Sequence, residues 1–316
     1  MIQKIIIAVT FLFISNWLMA QHIDTVGKNI AISIKAVKIE GTLLAASNKQ
    51  KIVIIIAGSG PTDRDGNSVA GVNSNTYRLL ASALQKNNIA SFRYDKRGIA
   101  KSTIKNFKES ELLFEDYIND AKEIFLYLKD SLGFKNIYFA GHSEGSLIAM
   151  IATQQTTPKG YISLAGISQA INLVITEQVN AQSPAMAKQT DSLFSILKTK
   201  GKIDSVPPYL LSIFRPSVQP YMISWMKYDP AAEIKKLKLP ILILQGTCDI
   251  QVKKTEADYL YNANNKATLN IIDGMTHTLK NAEANCTDKD MKTYHDPTLP
   301  LNEQLIESII NFVQDQ

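Results

Sequence analysis

Shortages set the first limits on what this 316-residue chain does: it has 4 histidines, 2 cysteines and no long block of one charge sign. Lys and Arg number 34 against 29 Asp and Glu, and the two signs are interspersed, leaving a net charge of +5. With no basic block and no interleaving of aromatic and basic residues, nucleic-acid binding is not suggested. The longest early apolar run, residues 5–14, is too short for a comfortable membrane span. Internal repeats and low-complexity tracts are absent. The scarcity of histidine makes the search for a general base short. Cys248 and Cys286 are the two thiols. An oxidising compartment permits a bridge between them, although two buried free thiols are the reading that the sequence favours slightly.

What is present fits one large α/β domain with an insertion. Hydrophobic residues make up 45% of the chain, enough for a substantial core. Residues 1–20 read as a signal peptide, with Lys4 their one charge, the apolar run, and Leu18-Met19-Ala20 before the expected cleavage. The mature protein, residues 21–316, is expected outside the cytoplasm, in the periplasm or secreted, without stable membrane insertion. Residues 31–46 alternate apolar and polar, which predicts a hairpin turning near Glu40-Gly41. Ile52 to Ile56 is a continuous β-branched run, as in a strand buried on both faces. Strand patterns at 90–94, 136–140, 161–165, 239–245 and 267–272 alternate with helical ones at 76–84, 113–132, 146–152 and 301–312. This alternation predicts a doubly wound, mostly parallel sheet. From about Ile167 to Lys236 the rhythm breaks into a proline-punctuated helical stretch, read as an inserted cap.

The chemistry concentrates in Gly141-His142-Ser143-Glu144-Gly145, a G-x-S-x-G elbow between a predicted strand and a predicted helix. Ser143 is the candidate nucleophile. A serine hydroxyl needs a base within reach, and the base needs an orienting carboxylate. His277 follows the last predicted strand, where α/β sheets place catalytic groups. His22 is remote, His295 precedes the last helix, and His142 is expected to point into the scaffold. Asp249, past the preceding strand, is the candidate acid; Asp273 is its rival, and Asp229 is read as a helix cap. The order Ser143, Asp249, His277 is that of α/β hydrolases. The oxyanion donors are expected to be the backbone amides of Glu144 and of Ser59, with Gly58 or Gly60 able to serve instead. The Glu144 side chain reads as a solvated charge at a helix start. Asp63-Arg64-Asp65-Gly66-Asn67 reads as a charged turn at the pocket rim rather than a calcium loop, and Asp95-Lys96-Arg97-Gly98 as structural.

These residues resemble the α/β-hydrolase superfamily, and more narrowly the bacterial carboxylesterases of the EstD type, serine aminopeptidase-like hydrolases. The likeness runs from about Ile32 to the C-terminus. Its most discriminating piece is Gly58-Ser59-Gly60-Pro61 with Asp63-Arg64-Asp65-Gly66, joined by Arg93-Tyr94-Asp95-Lys96-Arg97-Gly98, the elbow, and Leu244-Gln245-Gly246-Thr247. The resemblance implies a Ser143/Asp249/His277 triad, a small-molecule ester substrate and no cofactor or metal. Ser146 and Ala57 depart from the family pattern without removing a catalytic group. A peptidase or thioesterase on the same triad, or a silent binding protein, are the rival readings. Phe214, Met222, Trp225 and Met226 are equally acyl-pocket or cap-core residues on composition. Oligomeric state is left open.

Overall fold

The computed structural model describes residues 27–47, 50–283, 286 and 291–315. The expected signal peptide and His22 lie outside these residues. In chain order the strands are β1 (Lys28–Ile34), β2 (Val37–Leu44), β3 (Lys51–Ile56), β4 (Asn67–Ser68), β5 (Val72–Asn73), β6 (Ala90–Tyr94), β7 (Asn136–His142), β8 (Gly160–Leu164), β9 (Ile241–Gly246) and β10 (Thr268–Ile272). Eight of them make one sheet in the order β1-β2-β6-β3-β7-β8-β9-β10, while β4 and β5 form a small ribbon. Pairing is antiparallel at β1–β2 and β2–β6 and parallel from β6 to β10. The fold is the mostly parallel doubly wound sheet that the strand–helix alternation predicts.

The β-branched run of β3 explains its central place. Ile52, Ile54 and Ile56 face one core and Val53 and Ile55 the other, all at most 1% exposed. Full burial of each such side chain stabilises by roughly 1.5–3 kcal/mol. Helices α1 (Thr76–Lys86) and α11 (Glu303–Gln314) cover the Val53 face. Helices α2 (Phe114–Leu126), α3 (Glu144–Gln154) and α9 (Lys254–Ala263) cover the other. The predicted helix over 113–132 ends early as a helix, since residues 127–131 widen into a π-turn. A short α10 (Lys292–His295) precedes α11.

Between β8 and β9 the chain carries α4 (Ile171–Gln182), α5 (Pro184–Lys200), α6 (Leu211–Phe214), α7 (Gln219–Trp225) and α8 (Pro230–Ile234). Their starts obey local chemistry. The Ser183 hydroxyl accepts from Met186 N–H with Pro184 in the first turn, and Asp229 accepts from Ala231 N–H at 3.0 Å. Phe214 packs edge-on against Phe194, with ring centroids 4.6 Å apart, and Met222 is buried in the same cluster. No helix among the described residues is long and apolar enough to cross a membrane.

The leading hairpin corrects the sequence reading. Its turn is at Lys35-Ala36, with Lys35 at φ 54°, not near Glu40-Gly41. Gly41 lies inside β2 because a Cβ there would stand 2.2 Å from Phe92 Cζ, and Phe92 is fully buried. Gly41→Ala must therefore displace a core ring. Overpacking of this kind costs about 1–3 kcal/mol, which for a chain of this size lowers the Tm by roughly 2–12 °C. Thermal unfolding checks this; an unchanged Tm would contradict it.

Candidate functional site

The site is assembled at the carboxyl ends of the parallel strands, where loops meet above the sheet edge. At the end of β7 the chain turns sharply into α3. Ser143 occupies φ 54° and ψ −119°, a strained conformation for a non-glycine residue. The turn closes only because two neighbours lack side chains. A Cβ on Gly141 would stand 2.1 Å from Gly145 O, and one on Gly145 would stand 2.4 Å from Ile56 O. The Ser143 N–H donates to Leu164 O at 2.9 Å, which anchors the elbow to β8. Its hydroxyl makes no hydrogen bond among the described residues and lines a cavity of about 450 Å³.

His277 and Asp249 arrive from the loops after β10 and β9. The His277 Nδ1–H donates to Asp249 Oδ2 at 2.8 Å. The other Asp249 oxygen accepts from Gln251 N–H at 2.8 Å and Val252 N–H at 2.9 Å. Burial pushes the Asp249 carboxyl up, but the adjoining His277 ring and these hydrogen bonds outweigh it and hold the group below its ordinary value. The rival Asp273 is turned away: its Oδ1 accepts from the Thr247 hydroxyl at 2.9 Å. His277 and Ser143 line the same cavity. His295 is exposed on α10.

His142 is buried, and it has a definite job. Its Nε2 faces the His277 carbonyl at 2.8 Å, so Nε2 carries the proton. Its Nδ1 then accepts from the Tyr77 hydroxyl at 2.8 Å, and that hydroxyl accepts from Gly58 N–H at 3.0 Å. One chain of hydrogen bonds thus ties the loop after β3, the elbow and the His277 loop.

Two expectations are overturned here. Glu144 is not a solvated charge: it is 3% exposed, its Oε2 meets Lys96 Nζ at 2.5 Å, and its Oε1 accepts from the Tyr221 hydroxyl. A dry position at a helix start demands a partner, and Lys96, 1% exposed, supplies it. Sequence reading passed over Lys96 because it sits in a charged tetrapeptide typical of surface turns. Cys248 and Cys286 are not free thiols either; they form a disulfide that ties the segment beside Asp249 to residue 286. The two lie 38 positions apart, so only the meeting of the β9 and β10 loops shows that they pair.

Ser59 and Gly60 line the cavity with Gly58, and neither Ser59 N–H nor Glu144 N–H has a hydrogen-bond acceptor among the described residues. The Asp63–Gly66 turn is drawn inward more than a rim would be: Arg64 is buried and pairs with Asp95 at 2.7 Å, while Arg93 pairs with Asp65 at 2.7 Å. Arg97 pairs with Asp116 and Asp120, bracing α2. Ser146, the departure after the elbow, hydrogen-bonds the Tyr161 and Ser163 hydroxyls at 2.6 and 2.9 Å. Of the four cap candidates only Trp225 lines the cavity, beside Ile167, Ile171, Val174 and Ile175. The described residues include no cluster of three or more His, Cys, Asp or Glu fit for a metal.

Burial pushes His142 down from an ordinary 6.5 to about 3, and the neighbouring His277 adds to the effect. Between those pH values the unfolded chain binds a proton that the folded one refuses, so stability falls as pH drops through that window. The loss by pH 3 is on the order of 4 kcal/mol. His142→Gln is expected to flatten the decline of Tm between pH 6.5 and 4. A slope equal to that of the unsubstituted protein would contradict the assignment.

Comparison with known proteins agrees with this fold. A family model described as serine aminopeptidase, S33, matches residues 70–210. Esterase EstD of Thermotoga maritima is 26% identical over 251 residues, covering 78% of this chain. The match takes in only 58% of that relative's length. Among solved structures, Est1E from Butyrivibrio proteoclasticus with ferulic acid bound superposes with a TM-score of 0.61 at 18% identity, covering 91% of this chain and 98% of that one. The Pyrococcus furiosus esterase Pf2001 gives 0.58 at 17% identity, covering 92% of each chain. The sheet and its strand-end loops have the α/β-hydrolase fold, which the chain shares with these solved esterases.

Proposed function

We propose that the protein is a serine hydrolase of carboxylic esters, acting through Ser143, His277 and Asp249. The observation that carries this is the 2.8 Å bond from His277 Nδ1–H to a dry, hydrogen-bonded Asp249, with a strained serine lining the same cavity as His277. With Nδ1 protonated, His277 Nε2 is left free to take the Ser143 proton as Oγ attacks the ester carbonyl. The negative oxygen of the tetrahedral intermediate is met by the free N–H groups of Glu144 and Ser59, the former also at the positive end of α3. The intermediate collapses, the alkoxide leaves with the proton from His277, and water repeats the sequence on the acyl-enzyme. The Ser143 Oγ–His277 Nε2 contact that this transfer needs tightens as the substrate seats.

The cavity chemistry favours a neutral substrate. Its lining holds no Lys or Arg, and its one carboxylate, Glu144, has both oxygens occupied by Lys96 and Tyr221. No charge remains among these residues to grip the α-ammonium group that an aminopeptidase must recognise. The wall of Ile167, Ile171, Val174, Ile175 and Trp225 suits an apolar acyl group. The disulfide supports function in an oxidising compartment, and with it export of the chain.

Ser143→Ala is expected to abolish turnover of p-nitrophenyl acetate, with kcat falling by about 10⁴-fold or more. Retained turnover would sink the assignment. Asp249→Asn is expected to lower kcat by up to about 10⁴-fold while KM stays within a few-fold, because the imidazole loses its tautomer. A near-normal kcat would remove Asp249 from the triad. A purified-protein comparison of a short neutral ester with an alanyl p-nitroanilide decides substrate class. The ester is expected to give the higher kcat/KM by at least about 100-fold, a gap of some 2.7 kcal/mol; the reverse order would make the chain a peptidase.

A further inference from the structure

Lys96 is more deeply buried than any neutral surface role explains. It follows β6, and its ammonium meets Gly58 O at 2.7 Å and Glu144 Oε2 at 2.5 Å, and lies 4.9 Å from the Tyr117 ring centroid. A buried ion pair is weak evidence of stabilisation, since desolvation of both charges offsets their attraction. Its position gives it another use. Gly58 C=O and Ser59 N–H belong to one planar trans peptide, and so point in opposite directions. A cation gripping that carbonyl sets the direction of the Ser59 N–H on the far side. The preceding peptide is held as well, because Gly58 N–H donates to Tyr77. Glu144 is the residue that bears the second free amide, and its carboxylate rests on the same ammonium.

We propose that Lys96 is a positioning residue for oxyanion stabilisation: one ammonium fixes the Gly58–Ser59 peptide and Glu144 together, so that both amides face the reacting carbonyl. This rests on the ester-hydrolase reading of the site. Preorganised donors of this kind act because they need no reorientation as charge develops, and a donor free to swing loses most of that benefit. A plainer role, neutralising the Glu144 charge, predicts that Lys96 is dispensable once that charge is gone.

The test compares wild type, Glu144→Gln, and Lys96→Met/Glu144→Gln, in which no buried charge is stranded. Relative to Glu144→Gln, the double variant is expected to lose about 100- to 300-fold in kcat/KM on p-nitrophenyl acetate, within the range for loss of one oxyanion donor. Its affinity for a trifluoromethyl ketone, which forms a tetrahedral adduct with the serine, is expected to weaken by the same factor with circular dichroism unchanged. Equal kcat/KM in the two variants, or a loss of rate without a matching loss of inhibitor affinity, overturns the proposal. Should the double variant not fold, Lys96→Arg takes its place, because its broader guanidinium shifts the grip on Gly58 O. A joint fall of at least tenfold in rate and inhibitor affinity supports the proposal; unchanged values overturn it. A wild type without Ser143-dependent turnover removes the ester-hydrolase reading and the proposal with it. Wild-type turnover with insensitive Lys96 variants removes the proposal alone.

Discussion

The site depends on one buried chain of hydrogen bonds, from Gly58 N–H to the Tyr77 hydroxyl, to His142 Nδ1, and from His142 Nε2–H to the His277 carbonyl. Each link is directional, so the chain admits one tautomer of His142 and one orientation of the Tyr77 hydroxyl. It joins groups from the loops after β3 and β10 with the last residue of β7 and the first turn of α1. Loops are ordinarily the least constrained parts of a fold. Here two of them are fastened to each other, and to the end of β7, by groups that must stay dry and neutral. This is why His142, which has no place among the reacting groups, is buried and held far below its ordinary basicity.

Around this chain the charges are arranged in layers. Arg64–Asp95 and Arg93–Asp65 lock the Asp63–Gly66 turn onto the end of β6. Lys96, next along the chain, reaches the other way, to Gly58 and Glu144. Tyr221 carries the contact into α7 of the cap, where its ring packs against Phe114 and Trp225. The apolar wall over Ser143 and the polar floor beneath it are therefore parts of one packed unit. The disulfide beside Asp249 fastens the acid loop on the far side.

Much of this was legible in the sequence, and for definite reasons. The mostly parallel, doubly wound sheet follows from runs of β-branched residues separated by helical spacing, whereas the order of its strands does not. The elbow is marked by glycines that close packing at β7 and α3 demands. Asp249 and His277 stand directly past strand ends, so their meeting needs only a parallel sheet. What escaped was everything set by contact between remote segments. Gly41 looked like a turn glycine, but its lack of a side chain makes room for Phe92. Glu144 looked solvated because a helix start favours acid, and nothing local announces Lys96 or Tyr221 as partners. Phe214 and Met222 had a composition that suits either a pocket or a core, and only packing decides that they are core.

The central claim is that Ser143 alone is activated for acyl transfer. Mass spectrometry of the folded protein after treatment with a fluorophosphonate tests it most directly. The account predicts one adduct per chain, on the peptide containing Ser143, and none after heat denaturation before labelling. An adduct on another residue of the native protein, or none at all, would contradict it.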